Sequence, residues 1–153
     1  MPYSVLPAKK QDIEALVDLE KRVFISSDGI LSQRAFRYHI QRQKNLLLVA
    51  KTAEPRSQLV AYILVLLHKH SARIYSLAVN PEYQHCGIGR TLLRDSIEEI
   101  TTKGIQKIYL ELRGENKAAL KLYESLGFKI SGMRPDYYQP GEDAIVMTWL
   151  RKG

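Results

Sequence analysis

The sequence contains little that would suit a secreted or membrane-spanning protein. Its single cysteine, Cys86, cannot form a disulfide within the chain and suits a reducing compartment. The longest apolar run, Leu59 to Leu67, is too short to cross a bilayer and predicts a buried strand. The first residues show no basic segment followed by an apolar one, so we expect no secretion signal. These shortages predict a cytoplasmic protein with no membrane partner.

Residue clusters that would bind a metal are also missing. His68 and His70 are two residues apart, which would place them on one face of an extended chain. A metal pair needs further ligands, and neither cysteine nor carboxylate residues flank them. We therefore expect an exposed turn here and no metal site.

The chain has 153 residues, of which 45% are hydrophobic and 25% charged, so it predicts one domain over residues 1–153. The formal net charge is +7, and the stretch from 34 to 44 is the most basic. Because this stretch carries no recognisable nucleic-acid-binding motif, we interpret it as a solvated helix face. We expect no direct binding of nucleic acid, and a monomer or weak dimer.

Strand and helix patterns alternate along the chain, which predicts an α/β sheet with helices packed against it. Strands are expected near 3–6, 45–51, 59–68, 74–79, 105–112, 128–131 and 144–150, and helices near 13–24, 32–43, 88–103 and 117–126. We expect loops at 26–29 and at 133–142. Strands 45–51 and 59–68 should form an antiparallel hairpin. The helical crossover is long enough for strands 74–79 and 105–112 to pair in parallel.

A glycine-bearing turn joins the strand at 74–79 to the helix that begins near Ile88. Gly87 and Gly89 let the backbone approach a ligand, and the free N–H groups of the helix start favour an anion. Arg90 adds a positive charge to the same turn. A diphosphate would suit this site, although a tight turn with nothing bound would use the same residues.

The turn resembles a known cofactor loop. Gln84-x-x-Gly87-x-Gly89, continued by Arg90, is similar to the pyrophosphate loop of the GNAT superfamily of acyl-coenzyme A-dependent N-acetyltransferases. The resemblance implies the GNAT fold, a mixed and mostly antiparallel sheet with a central parallel strand pair and about four helices. It also implies that acetyl-CoA is the cofactor and is bound by Leu77, Ala78, Val79, Gln84, His85, Cys86, Gly87, Ile88, Gly89 and Arg90.

Transfer of an acyl group to an amine requires a proton acceptor for the amine and a proton donor for the leaving thiolate. Glu111 is a candidate because a carboxylate is otherwise unfavourable in the middle of a strand. It could instead face outward and pair with Arg113. Tyr123 is the second candidate, although its spacing would equally suit a core tyrosine.

The segment around these candidates resembles ribosomal-protein-alanine N-acetyltransferases. The similarity runs from Leu110-Glu111-Leu112-Arg113 through Asn116 and Leu122-Tyr123-Glu124 to Gly127-Phe128. It implies that Glu111 is the general base, that Tyr123 is the general acid and contacts the cofactor, and that Asn116 contacts the cofactor. We expect the backbone N–H near Val79 to stabilise the oxyanion.

A last stretch, rich in tyrosine, comes before the final predicted strand. Tyr137-Tyr138-Gln139-Pro140-Gly141-Glu142-Asp143-Ala144 resembles a signature of protein amino-terminal acetyltransferases, which implies that Tyr137 and Tyr138 bind the substrate backbone. Aromatic rings with hydroxyl groups suit that role, although a surface loop could contain the same residues by chance.

The sequence thus predicts an enzyme that transfers acetyl from acetyl-CoA to a protein or peptide N-terminus in a ternary complex, with a ribosomal protein as one candidate acceptor. Residues 24–43 lack the Pro-Trp element of the ribosomal branch. Acetylation of a small amine (a polyamine, an amino acid or an antibiotic) therefore stays open. A non-catalytic acyl-CoA-binding module is the third interpretation.

Overall fold

A computed structural model describes residues 2–24, 30–42 and 44–152, which form a seven-stranded sheet with four α-helices. The helices are α1 (Ile13–Val23), α2 (Gln33–Arg42), α3 (Ile88–Thr102) and α4 (Lys117–Ser125). The strands are β1 (Tyr3–Pro7), β2 (Leu46–Thr52), β3 (Leu59–Leu67), β4 (Ser71–Val79), β5 (Lys107–Arg113), β6 (Lys129–Gln139) and β7 (Glu142–Leu150). The loop expected at 26–29 and the expected helix end at Gln43 lie outside the described residues.

The strand order is β1-β2-β3-β4-β5-β7-β6. Strands β4 and β5 pair in parallel, and the other neighbouring strands pair antiparallel. The mixed, mostly antiparallel sheet with a central parallel pair is therefore confirmed, as is the hairpin of β2 and β3.

Helices cover both faces of the sheet. On one face, α1 and α2 bury Leu16, Leu19 and Phe36 against strand residues such as Tyr62. On the other face, the apolar stripe of α3 packs beside α4; its buried members include Ile88, Leu92, Leu93 and Ile100. The two cores fix the sheet between them, so residues that alternate along a strand face different helix pairs.

Several helix ends form at the residues that the sequence signals. Ser32 Oγ accepts the Ala35 N–H at 3.1 Å. Asn116 Oδ1 accepts the Ala119 N–H at 3.1 Å, as expected of a helix N-cap. Gly104 follows α3 in the left-handed region, with φ +83°.

The loop expected at 133–142 is wrong, because β6 extends to Gln139. Pro135 suggested a loop, but β6 is an edge strand, where a residue without an N–H donor is tolerated. The strand is irregular at this point: Asp136 has φ +52°, and the pairing with β7 shifts between Arg134 and Gln139.

Three further observations concern the histidines, metal sites and membrane-spanning helices. His68 and His70 are exposed between β3 and β4. Within the described ranges, no three His, Cys, Asp or Glu side chains are grouped so that they could hold a metal ion. None of the helices in the described part of the chain is long and apolar enough to span a membrane.

Candidate active site

The two parallel strands pair only at their beginnings. Ser71, Ala72 and Arg73 of β4 pair with residues 107–109 of β5, and within the described residues the register goes no further. A cleft of about 490 Å³ opens where the two strands separate, lined by residues 73–77 of β4 and 110–113 of β5. This volume is within the usual range for small-molecule sites. The space between the separated parts of β4 and β5, called the gap below, connects the two faces of the sheet.

Backbone groups of β4 are available along this gap. The Asn80 N–H donates to the Val60 carbonyl oxygen at 2.8 Å, so it points toward β3. Since N–H groups alternate in direction along a strand, the amides of Leu77 and Val79 point toward the gap, and that of Ala78 points toward β3. Gln84 Nε2 donates to the Val79 carbonyl oxygen at 3.3 Å, which ties the following loop to this strand. The strand can therefore pair with an extended ligand through Leu77 and Val79.

The glycine turn after β4 presents free amides. His85 and Gly87 have φ of +70° and +80°. Gly87 is the N-cap of α3, and no side chain caps that helix start, so the amides of Ile88, Gly89 and Arg90 face outward from the first turn. The loop from Gln84 to Gly87 is exposed, including Cys86. Backbone amides at the positive end of a helix suit an anion such as a diphosphate.

Arg90 extends from this turn toward α4. Its Nη1 donates to Ser125 Oγ at 2.8 Å. A Cβ at Gly89 would lie 3.6 Å from Val79 Cγ2 and 3.9 Å from Leu122 Cδ2. Side chains of β4 and α4 thus surround the start of α3, and only a small residue leaves space for a ligand beside it.

Glu111 lies on β5 at the gap, with its side chain only 4% exposed. Its Oε1 accepts Arg73 Nε at 2.8 Å and lies 2.8 Å from Arg73 Nη2. Its Oε2 is buried and has no hydrogen-bond partner among the described residues; Arg134 Nε is 3.9 Å away. The alternative pairing with Arg113 is not seen, because Arg113 pairs with Glu142. Glu111 thus has one occupied oxygen and one free oxygen at the cleft.

Tyr123 lines the same cleft from α4, on the opposite face of the sheet from Glu111. It is 7% exposed, and its ring lies edge-on to Phe128 with centroids 5.4 Å apart. Burial raises the pKa of Tyr123 above its ordinary value of 10.0, so the hydroxyl stays protonated at neutral pH. Asn116 also lines the cleft, and because its Oδ1 caps α4, its Nδ2 is the group left to donate.

Tyr137 and Tyr138 lie on β6 and line the cleft beside Glu111. Their ring centroids are 4.9 Å apart, and the planes are nearly perpendicular. The Tyr137 hydroxyl accepts Arg73 Nη2 at 2.6 Å. The guanidinium of Arg113 lies over the Tyr138 ring, 4.2 Å from its centroid.

Sequence reasoning missed two charged residues of this cleft. Arg73 gave no signal, because its partners come from other strands. Glu20 did give one: it is four residues after Leu16 on the apolar stripe of α1, where a carboxylate is unexpected. Glu20 is 1% exposed; its Oε1 accepts the Tyr62 hydroxyl, and its Oε2 accepts the Leu31 N–H at 2.9 Å.

A sheet that separates after its one parallel pair, followed by a glycine turn into a helix, defines a GNAT-type fold. The chain belongs to the acetyltransferase (GNAT) family, whose pattern residues 13–128 match. This family was expected from the glycine turn, and the expectation is confirmed.

Within the family, the chain is similar to proteins named ribosomal protein bS18-alanine N-acetyltransferase. It is 42% identical to that of Salmonella typhimurium over 100 residues, which cover 63% of this chain and 66% of the relative. It is 31% identical to that of Haemophilus influenzae over 90% of this chain and 91% of the relative. The crystal structure of the Escherichia coli enzyme superposes with a TM-score of 0.86 at 29% identity, covering 99% of this chain and 96% of that chain.

Proposed function

We propose that this protein transfers the acetyl group of acetyl-CoA to the α-amino group of a protein or peptide N-terminus, within a ternary complex. The observation that carries the proposal is the free, buried Oε2 of Glu111 at the gap between β4 and β5, with the protonated Tyr123 on the other side of that gap. Acetyl-CoA is the acyl donor of GNAT acetyltransferases. The names of the similar proteins favour an N-terminal amine as the acceptor.

The residues present suit this cofactor. The outward amides of residues 88–90 would hold its diphosphate, and the gap-facing backbone of Leu77 and Val79 would pair with its extended arm. Asn116 Nδ2 and the Tyr123 hydroxyl would contact it from α4. When bound there, acetyl-CoA supplies an acetyl group activated as a thioester. The Val79 amide is the donor that we expect to stabilise negative charge on the acyl oxygen.

The acid–base chemistry divides between the two faces of the sheet. An α-amino group has a pKa of about 8, so it is largely protonated at neutral pH and must lose a proton before it attacks. Glu111 Oε2 is the acceptor for that proton, directly or through one water. The Tyr123 hydroxyl would be the proton donor for the departing thiolate. The two groups belong to opposite faces of the sheet and line the same cleft.

The acceptor would enter on the face of α1 and α2. Tyr137 and Tyr138 form an apolar wall with hydroxyl tips beside Glu111, which suits an extended peptide backbone. A ribosomal protein is a candidate acceptor, given the names of the relatives. We further propose that the enzyme acts in the cytoplasm, where its exposed thiol at Cys86 would stay reduced, as a monomer or weak dimer without bound nucleic acid.

A substrate panel tests the proposal. Purified protein is incubated with acetyl-CoA and with N-terminal peptides, polyamines, amino acids or aminoglycosides, and thiol release is measured. We expect release with peptides that carry a free N-terminus and none with the same peptides once N-acetylated. Release only with a small amine would show that the acceptor is a small molecule and not a protein or peptide N-terminus. Cofactor binding without release on any amine would leave a non-catalytic module. Mass spectrometry of N-termini in cells with and without the protein would then identify the acceptor.

A further inference from the structure

We infer that Arg73 is a positioning residue for this reaction: it holds the carboxylate of Glu111 and the hydroxyl of Tyr137 at once, so that the proton acceptor and the acceptor-binding wall move as one unit. This inference rests on the proposed function. Arg73 belongs to β4, Glu111 to β5 and Tyr137 to β6. One guanidinium therefore connects three strands at the cleft.

The contact with Glu111 selects which oxygen reacts. Arg73 Nε and Nη2 both lie 2.8 Å from Oε1, and neither is recorded on Oε2. Two donors of one guanidinium thus hold the same carboxylate oxygen, Oε1, through a charge-assisted contact, which is stronger than a contact between neutral groups. Oε2, which accepts no hydrogen bond from the described residues, is the oxygen that can accept a proton.

Burial makes this partner necessary. Glu111 is 4% exposed and Arg73 is 27% exposed, so the carboxylate has little contact with water. A buried charge is unfavourable unless it is paired and hydrogen-bonded. Arg134 cannot take over the role in this arrangement, because it is 56% exposed and its Nε is 3.9 Å from Oε2.

The position of Arg73 links this carboxylate to the gap. Arg73 and Tyr109 form the last recorded pair of β4 and β5 within the described residues, so Arg73 stands where the two strands begin to separate. The same Nη2 that contacts Glu111 also donates to the Tyr137 hydroxyl at 2.6 Å. The Arg73 guanidinium also lies over the Tyr75 ring, 5.5 Å from its centroid.

Kinetics on Arg73→Met, Arg73→Lys and Tyr137→Phe test the inference, with Arg56→Met as the matched control. Arg56 is an exposed arginine in the turn between β2 and β3, far along the sheet from β5. We expect Arg73→Met to lower kcat by about tenfold or more and to raise KM for the peptide, because a misplaced catalytic group is costly. KM for acetyl-CoA should stay unchanged. Tyr137→Phe should raise the KM for the peptide and lower kcat less than Arg73→Met does, because Arg73 then keeps its contact with Glu111. Arg73→Lys should recover part of kcat, since it keeps the charge without the planar geometry.

Two further measurements separate positioning from a merely structural role. In a Glu111→Gln background, Arg73→Met should lower kcat by less than twofold, because residues that act as a unit are not additive. Millimolar guanidinium should restore part of the kcat of Arg73→Ala. Full kcat in Arg73→Met would overturn the inference, as would additive losses in the double variant. Either result would leave the proposed function intact as long as Glu111→Gln alone still loses turnover.

Discussion

Tyr62 of β3 donates its hydroxyl hydrogen to Glu20 of α1, and both side chains are buried. Tyr62 also lies 2.7 Å from Ser76 Oγ, on β4 beside the cleft. The second oxygen of Glu20 receives the Leu31 N–H. A series of hydrogen bonds thus connects α1, the segment before α2, β3 and β4. Three of its members, Glu20, Leu31 and Ser76, line the cleft.

Removing the Tyr62 hydroxyl from this series of hydrogen bonds should destabilise the fold. Tyr62→Phe leaves one oxygen of a buried carboxylate without its donor, which we expect to lower the free energy of unfolding by about 1–3 kcal/mol. Tyr38→Phe is the matched control, because Tyr38 is 49% exposed and should change stability by less than about 0.5 kcal/mol. Urea denaturation measures both. Equal stabilities of the two variants would show that the buried hydrogen bonds of Tyr62 do not stabilise the fold.

Glu20 should also give the stability a pH dependence. Burial raises the pKa of Glu20 above its ordinary value of 4.5, although the bonds from Tyr62 and Leu31 oppose this. A carboxyl whose pKa is raised on folding favours the folded state most below pH 4.5, and this contribution is lost as the pH rises through the folded value. We expect the unfolding free energy of wild type, relative to Glu20→Gln, to fall as pH increases from about 4 to 7. Denaturation curves over that range check the sign.

Glu111→Gln tests the proton acceptor. The amide keeps the shape and volume of the side chain but cannot take a proton from an ammonium group, so we expect kcat to fall by roughly a hundredfold or more. The dissociation constant of CoA should not change, because the predicted cofactor contacts lie on β4, α3 and α4. Glu98→Gln, an exposed glutamate on α3, is the control. Turnover equal to wild type would remove Glu111 as the base.

Tyr123→Phe tests the proton donor. The ring can stay packed against Phe128, so the thermal midpoint should change little while kcat falls by about tenfold to a hundredfold. Since burial raises the pKa of Tyr123 above 10.0, wild type should not lose its acid as the assay pH approaches 10. Pre-steady-state thiol release from pH 7 to 10 measures this. An ionisation that silences the enzyme near pH 8 would have to belong to another group.

A pair of glycine substitutions separates backbone strain from cofactor binding. Gly87 and Gly104 have φ of +80° and +83°, and a Cβ at either would meet nothing within 4 Å. Alanine at either position should therefore cost about 1–2 kcal/mol of stability through backbone conformation alone. Only Gly87→Ala should also weaken CoA binding, because Gly104 lies at the opposite end of α3. Calorimetric titration with CoA distinguishes the two; equal affinities would place the diphosphate elsewhere.

The fold could be predicted from the sequence wherever one segment contains its own signal. Asn116, Ser32 and Gly104 mark helix ends by local chemistry, and the crossover from β4 through α3 to β5 is long enough for parallel pairing. The extension of β6 was missed because Pro135 is typical of a loop, and only the edge position of the strand makes a proline compatible with the sheet.

In the candidate site too, residues within one continuous motif could be predicted from the sequence, and contacts between distant segments could not. Glu111, Tyr123, Asn116 and the glycine turn were found because each belongs to a continuous motif, and their roles stay predictions. The partner of Glu111 was not found, because Arg73 is 38 residues away and meets it only through the register of two strands. Arg113, the near neighbour in sequence, turned out to pair with Glu142.

The short parallel ladder between β4 and β5 has a mechanical consequence. Three residue pairs join the four strands on one side of the sheet to the three on the other, fewer than join any other two neighbouring strands in the described part of the sheet. A molecule that fills the opening and hydrogen-bonds along β4 would replace part of the missing ladder. The resistance of the protein to heat should then rise with the concentration of that molecule, by an amount set by its dissociation constant.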